Sequence, residues 1–192
     1  MPRPSLREAL LAAGLEVLHQ KGFNATSVQD ITDAAGAPKG SFYNHFESKE
    51  ALAAEALREY VERGKARREI LRDAKVPPLR RLRKYFETLV EAAVDAGFSA
   101  GCLLGNFAAE MSPQSTLIRK RVGEALAAWS GVIAGVIKEA QETGAITAVE
   151  SPKTLAAFVI DAWEGAMLRA KVAKDRAPLD VFLEVTFTRL LP

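Results

Sequence analysis

Apolar residues recur at intervals of three and four along almost the whole chain, the spacing of one-sided helices. The strict alternation of a half-buried strand does not stand out anywhere, and no repeat or low-complexity tract is visible. A first helix starts at Ser5, which forms a capping box with Glu8, runs through Leu6, Leu10, Ala13 and Val17, and stops at Lys21-Gly22. Ser27 with Asp30 opens a second, whose apolar side is Val28, Ile31 and Ala35. Ala35-Gly36-Ala37 breaks it, and Pro38 is expected as the first residue of a third helix that turns Phe42 and Phe46 inward. Ser48 caps a fourth that continues past Leu57 to about Asp73, ended by Pro77-Pro78.

Five more helices follow from the same reading. One carries Leu82, Phe86, Leu89 and Ala93 and breaks near Gly97; a short one covers about 102 to 110. Pro113 separates that from a long helix reaching Thr143-Gly144, and residues 145 to 151 form a loop. The next, from 152 to 174, shows the broad stripe Leu155, Phe158, Val159, Ala162, Trp163, Ala166, Met167 and Ala170. Pro178 opens the last, with Leu179, Phe182, Thr186 and Leu190. The expected fold class is all-α.

Composition narrows the class. At 192 residues, 48% hydrophobic and 26% charged, the chain is ordinary for a globular protein with a sizeable core. No run approaches the roughly 20 apolar residues of a membrane span, and Met-Pro-Arg-Pro-Ser-Leu-Arg-Glu does not lead into an uncharged apolar core, so a cytoplasmic location is expected. One cysteine allows neither an internal disulfide nor a zinc cluster. Only His19 and His45 are present, with no ligand spacing between them, so no metal and no cofactor is expected. The usual catalytic signatures (a Gly-rich phosphate loop, Gly-x-Ser-x-Gly, His-Glu-x-x-His) are missing, which argues against an enzyme. Net charge is +2, and residues 1 to 49 are neutral. The basic excess from Arg58 to Lys84 reads as a solvated helix face, so a case for DNA rests on local geometry, not on bulk charge.

That geometry lies between residues 26 and 50. Opposite Phe42 and Phe46, the third helix presents Lys39, Gly40, Tyr43 and Asn44: a cation, bare backbone, a phenol and a carboxamide, suited to phosphates and base edges. Gly40 costs such a helix roughly 1 kcal/mol relative to Ala; it either relieves crowding against a neighbouring helix or lets backbone approach DNA. Pro-Lys-Gly-Ser-Phe-Tyr-Asn-His-Phe-Glu-Ser-Lys-Glu, with Gly22 to Val28 and Ile31 to Gly36 before it, resembles the recognition-helix signature of the TetR/AcrR family of bacterial repressors. The close match covers about a quarter of the chain; length and helix layout fit throughout. The resemblance implies a helix-turn-helix DNA-binding domain over 1–50 and a helical ligand-binding and dimerisation domain over 51–192. It implies phosphate contacts from Tyr43 and Lys49, added contacts from Thr26 and Ser27, a place at the duplex for Gly40, Ser41 and Asn44, and phosphate or guanine O6/N7 for Lys39.

In the second domain, Phe86, Leu89, Phe98, Phe107, Trp129 and Trp163 either line a small-molecule cavity or form ordinary core. Gly101-Cys102-Leu103 is similar to a stretch of the NemR-like subgroup, which responds to electrophiles through cysteine. Cys102 is therefore either an inducer-sensing thiol in the first turn of its helix or a small buried residue of the pocket wall. The stripes holding Phe158, Trp163 and Phe182 are expected to build a four-helix interface between two chains. The resemblance thus implies a homodimeric repressor on a palindromic operator, relieved by a small-molecule or electrophilic inducer. Activation is the alternative outcome of the same binding. An enzyme, or a helical adaptor without DNA recognition, are the rival classes; the Lys39, Gly40, Tyr43 and Lys49 set speaks against the adaptor.

Overall fold

The computed structural model describes residues 5–191, which form helices without any strand among them. The order is α1 (Leu6–Lys21), α2 (Val28–Ala34), a 3-10 segment (Lys39–Asn44), α3 (Lys49–Arg68), a 3-10 turn (Glu69–Arg72), α4 (Pro78–Asp95), α5 (Leu103–Met111), α6 (Thr116–Glu142), α7 (Pro152–Ala173) and α8 (Ala177–Val185), whose end widens into a π turn (Thr186–Leu190). None of these helices is long and apolar enough to cross a membrane.

The expected helix starts are present with their caps. Ser5 accepts from the Glu8 amide while Glu8 takes the Ser5 amide, and Ser27 and Asp30 do the same for α2, so two otherwise unsatisfied donors are paired at each start. Ser48 Oγ accepts from Ala51 N at 3.0 Å and opens α3. Three elements differ from expectation. Residues 39–44 wind as 3-10, with Pro38 outside the helix in extended backbone (φ −61°, ψ 137°). Six residues with Gly40 and Ser41 among them lack the length and propensity for α-helix, and Ser41 returns both its amide (2.9 Å) and its hydroxyl (2.6 Å) to Pro38 O, which favours the tighter i→i+3 winding. Cys102 flanks α5 as its N-cap and is not inside the first turn. The fourth helix changes to 3-10 after Arg68, short of Asp73.

The chain packs as two compact units. The first comprises residues up to Arg63 together with Cys102–Ala125; the second comprises Gly64–Gly101 and the residues from Leu126 on. The expected boundary after residue 50 falls in the first turn of α3, whereas α3 and α6 each run from the first unit into the second. The core of the first unit joins Leu10, Leu18, Ile31, Phe42, Leu52, Leu57, Leu103, Phe107 and Ile118, all essentially without exposure.

The second unit is built on an aromatic cluster. Phe86 of α4, Trp163 of α7 and Phe182 of α8 have ring centroids 4.9–5.3 Å apart, in tilted and edge-on arrangements that exceed plain area burial in stabilisation. Trp163 and Phe182 are therefore consumed inside the protomer (2% and 5% exposed), which corrects their expected place on an intersubunit surface; Phe158 of the same stripe is 58% exposed. Helical spacing shows that a stripe is covered, not by which chain.

Arg81 of α4 is the one charged side chain buried among the described residues. Its guanidinium pairs with Glu139 of α6 and donates to Leu71 O at 3.2 Å. Removing the carboxylate strands a buried cation, which costs several kcal/mol when both partners are enclosed and less where one meets solvent, as Glu139 does. Glu139→Ala should lower unfolding free energy by about 2 kcal/mol in urea titration, and the double variant Arg81→Met/Glu139→Leu should recover most of it. An unchanged midpoint for Glu139→Ala would show that the pair holds nothing.

Candidate nucleic-acid interface

The reading surface is a helix, a turn and a 3-10 segment set on a buried wall. Phe42 (0% exposed) and Phe46 (3%) face inward with centroids 5.6 Å apart, as their spacing requires. The register leaves Lys39, Gly40, Tyr43 and Asn44 outside; the Tyr43 side chain is 61% exposed although it is large and aromatic. Among the described residues the polar ends of Lys39, Tyr43 and Asn44 meet no partner. A Cβ built on Gly40 would find no atom within 4 Å, so no neighbouring helix demands a glycine there. Crowding is thus excluded as its reason, and access to backbone remains.

Three further predicted residues serve the fold. Thr26 is buried (2%), and its hydroxyl donates to Gly22 O at 2.6 Å. Ser27 commits its amide and hydroxyl to Asp30 at 2.8 and 2.5 Å. Lys49 donates to Phe23 O at 2.8 Å and Thr26 O at 2.5 Å, its ammonium 4.1 Å from the centre of the Phe23 ring. Burial pushes the Lys49 pKa down, and the Glu110 and Asp30 carboxylates push it back. The geometry places all three at the α1–α2 turn as its supports.

Glu110 of α5 completes that turn and was not legible in the sequence. Its Oε2 accepts from Asn24 N at 3.0 Å, 86 residues away. Gly22 sits at φ 82°, and a Cβ there would come 2.2 Å from Glu110 Oε1, so only glycine allows the carboxylate so close. Nothing in local periodicity marks one glutamate of a short helix as the partner of a distant amide.

The residues predicted to line a ligand site divide between the units. Phe86 (0%), Trp163 (2%), Trp129 (7%), Leu89 and Phe98 belong to the second, Cys102 and Phe107 to the first. Phe98 has φ 52°, unusual for an aromatic residue, and its carbonyl accepts from Lys174 Nζ at 3.0 Å, Lys174 itself having φ 54°. Cys102 Sγ lies 3.9 Å from the Tyr60 hydroxyl. No group of three or more metal-ligating side chains gathers among the described residues.

A capped helix-turn-helix with an uncommitted polar face, set in an all-helical chain, defines a DNA-binding transcriptional regulator. Residues 10–56 match the profile described as bacterial regulatory proteins, tetR family, and residues 78–186 match the tetracyclin repressor-like, C-terminal domain. The chain is 44% identical to HTH-type transcriptional repressor DhaR of Mycobacterium sp. (strain GP1), an alignment covering 100% of this chain and 96% of that one. Regulatory protein TetR from Rhodobacter sphaeroides has the same fold, with a TM-score of 0.90 and 34% identity over 96% of this chain and 98% of that one. The reduced form of E. coli NemR follows at TM-score 0.81 and 28% identity, covering 93% and 94%. The chain belongs to the TetR family and is a transcriptional repressor of that family, not an enzyme.

Asp30 links the site to pH. The Lys21 ammonium at 2.6 Å, then the Ser27 hydroxyl and amide, hold its carboxyl well below the usual carboxylate range. A depressed folded-state pKa contributes stability above the unfolded value of about 4, and that contribution is lost as pH falls through the depressed value. Asp30→Asn should therefore unfold at lower urea than wild type at pH 7, and the gap should narrow as pH drops from about 4 towards 2. A gap that is constant with pH would contradict this role for Asp30.

Proposed function

We propose that the chain acts in the cytoplasm as a homodimeric repressor that grips a palindromic operator and lets go when a small molecule occupies its C-terminal domain. The observation that carries the DNA half is the uncommitted face of residues 39–44: an open Gly40 flanked by exposed Lys39, Tyr43 and Asn44. Gly40 and Ser41 bring backbone against the duplex, Tyr43 meets phosphate, Asn44 meets a base edge, and Lys39 donates to phosphate or to guanine O6/N7. Thr26, Ser27 and Lys49 take part by holding the α1–α2 turn that carries this face.

The dimer half rests on apolar residues left in solvent on two successive helices. Phe158, Leu168 and Val172 of α7 and Val181 and Val185 of α8 are 49–79% exposed. Such a concentration of large apolar side chains marks an interaction surface, and two helices from each chain make a four-helix interface. A two-fold dimer presents its reading heads about one turn of DNA apart, ~34 Å, so a change of a few ångströms in that separation suffices to weaken binding.

Relief by inducer rests on the buried aromatics Phe86, Trp129 and Trp163 of the second unit, with Leu89 and Phe98 half-buried in the same unit, side chains suited to an apolar guest. Electrophiles are a second route, favoured by the Tyr60 hydroxyl beside Cys102 Sγ, a donor able to steady a thiolate, with Phe107 on the helix that Cys102 caps. With one cysteine per chain, that route ends in an adduct, a sulfenate or a bond between subunits.

Selection from a random duplex pool should return an inverted repeat, bound by a species that sediments as a dimer. Its affinity should fall steeply as salt releases phosphate counterions, and Tyr43→Phe should weaken it about tenfold on every sequence. Lys39→Ala should also change which half-site is selected. Failure to enrich any duplex, or binding indifferent to salt, would defeat the proposal.

A further inference from the structure

The second unit encloses one indole donor with nothing to give its hydrogen to. Trp129 on α6 is 7% exposed, and its Nε1 meets no hydrogen-bond partner. An indole N–H is donor only, and a buried one normally finds an acceptor, because stripping it of water without replacement is costly. The stripe of α6 to which Trp129 belongs supplies none: Ile133, Ala134, Val136, Ile137 and Ala140 carry no polar side-chain atom. Arg81 Nε is also without a partner, but that guanidinium is satisfied through its other nitrogens. In Trp129 the orphaned atom is the only polar atom of the side chain. For packing alone, an apolar side chain would fill this position without the unmet donor.

We infer that Trp129 Nε1–H is the polar anchor of the inducer site, and that the inducer is a neutral, mostly apolar molecule carrying one hydrogen-bond acceptor such as a carbonyl or ether oxygen. This rests on the effector reading of the second unit given above and adds the chemistry of the guest. The requirement for an acceptor follows from the donor. Neutrality follows from the surroundings: among the described residues of this unit Arg81, Tyr85 and Thr186 are buried and Glu164 encloses one carboxylate oxygen, so the only buried cation is Arg81, already neutralised by Glu139. A carboxylate would be buried with no cation to meet it, whereas a ketone or ether loses little and satisfies the indole. The rest of the guest would be held by contact with aromatic and aliphatic side chains.

Three ring compounds of nearly equal size separate these contributions: cyclohexanone, methylenecyclohexane and cyclohexanecarboxylate. Each is titrated into the full-length protein, reading the unfolding midpoint and the indole resonances of nitrogen-15-labelled protein, with Trp163→Phe assigning the two indoles. Cyclohexanone should raise the midpoint and move the Trp129 N–H signal downfield, binding about tenfold more tightly than methylenecyclohexane; the carboxylate should not bind. In Trp129→Phe, and in protein carrying benzothienylalanine at that position (the isostere that lacks only the N–H), ketone and hydrocarbon should bind alike. Equal binding of both by wild type, preference for the carboxylate, a ketone preference that survives loss of the N–H, or binding of the hydrocarbon without the ketone would each overturn the assignment. Failure of the effector reading looks different: no compound, polar or apolar, would move the midpoint or either indole.

Discussion

Two opposite charges, Lys49 and Glu110, hold the backbone of the α1–α2 turn from either side, and the helix-turn-helix continues from that turn. From one side Lys49, at the start of α3, gathers the carbonyls of Phe23 and Thr26. From the other Glu110, on α5, takes the amide of Asn24. Charge-assisted hydrogen bonds of this kind are each worth roughly 1.5–3 kcal/mol, well above ordinary loop contacts. They satisfy backbone groups of a turn that would otherwise be left to water. Gly22 is the steric condition for the arrangement, since any side chain there would displace the carboxylate. Thr26 then ties the turn to the end of α1, and Ser27 begins α2 one residue later. From this turn the chain runs through α2 to the segment 39–44.

The clamp gives the helical scaffold its functional meaning. Glu110 sits on α5, which follows the connection containing Gly97, Phe98 and Gly101, all at positive φ. Those residues belong to the second unit up to Gly101, and the first unit resumes at Cys102. Within the first unit, Glu110 ties α5 to the turn that precedes α2.

Local signals made most of the fold, and the buried and exposed sides of the candidate segment, readable in advance. Ser5 with Glu8, Ser27 with Asp30, and Ser48 announced three helix starts because capping is a matter of residues three apart. Phe42 and Phe46 fixed which side of residues 39–44 is buried, and so which side is free. What escaped depends on partners far along the chain. Lys49 looks like a phosphate ligand until the carbonyls of Phe23 and Thr26 are seen around it, and Glu110 looks like surface until Asn24 is found beside it. Pro38 suits the first turn of an α-helix, but the six residues after it, with Gly40 and Ser41 among them, were too few and too weakly helix-forming to wind that way. Trp163 and Phe182 share a stripe pattern with Phe158, yet only packing against Phe86 decides that the first two are interior.

The sharpest test of the clamp is a double-mutant cycle on operator affinity with Lys49→Met and Glu110→Gln, measured by titration of the selected duplex at fixed salt. If the two side chains act together through one turn, each single change weakens binding and the double variant is scarcely worse than either alone, a clear coupling. Strictly additive losses would mean that Lys49 touches phosphate on its own account and Glu110 does something separate. That result, or full affinity in Glu110→Gln, would contradict the claim that this turn sets the reading head.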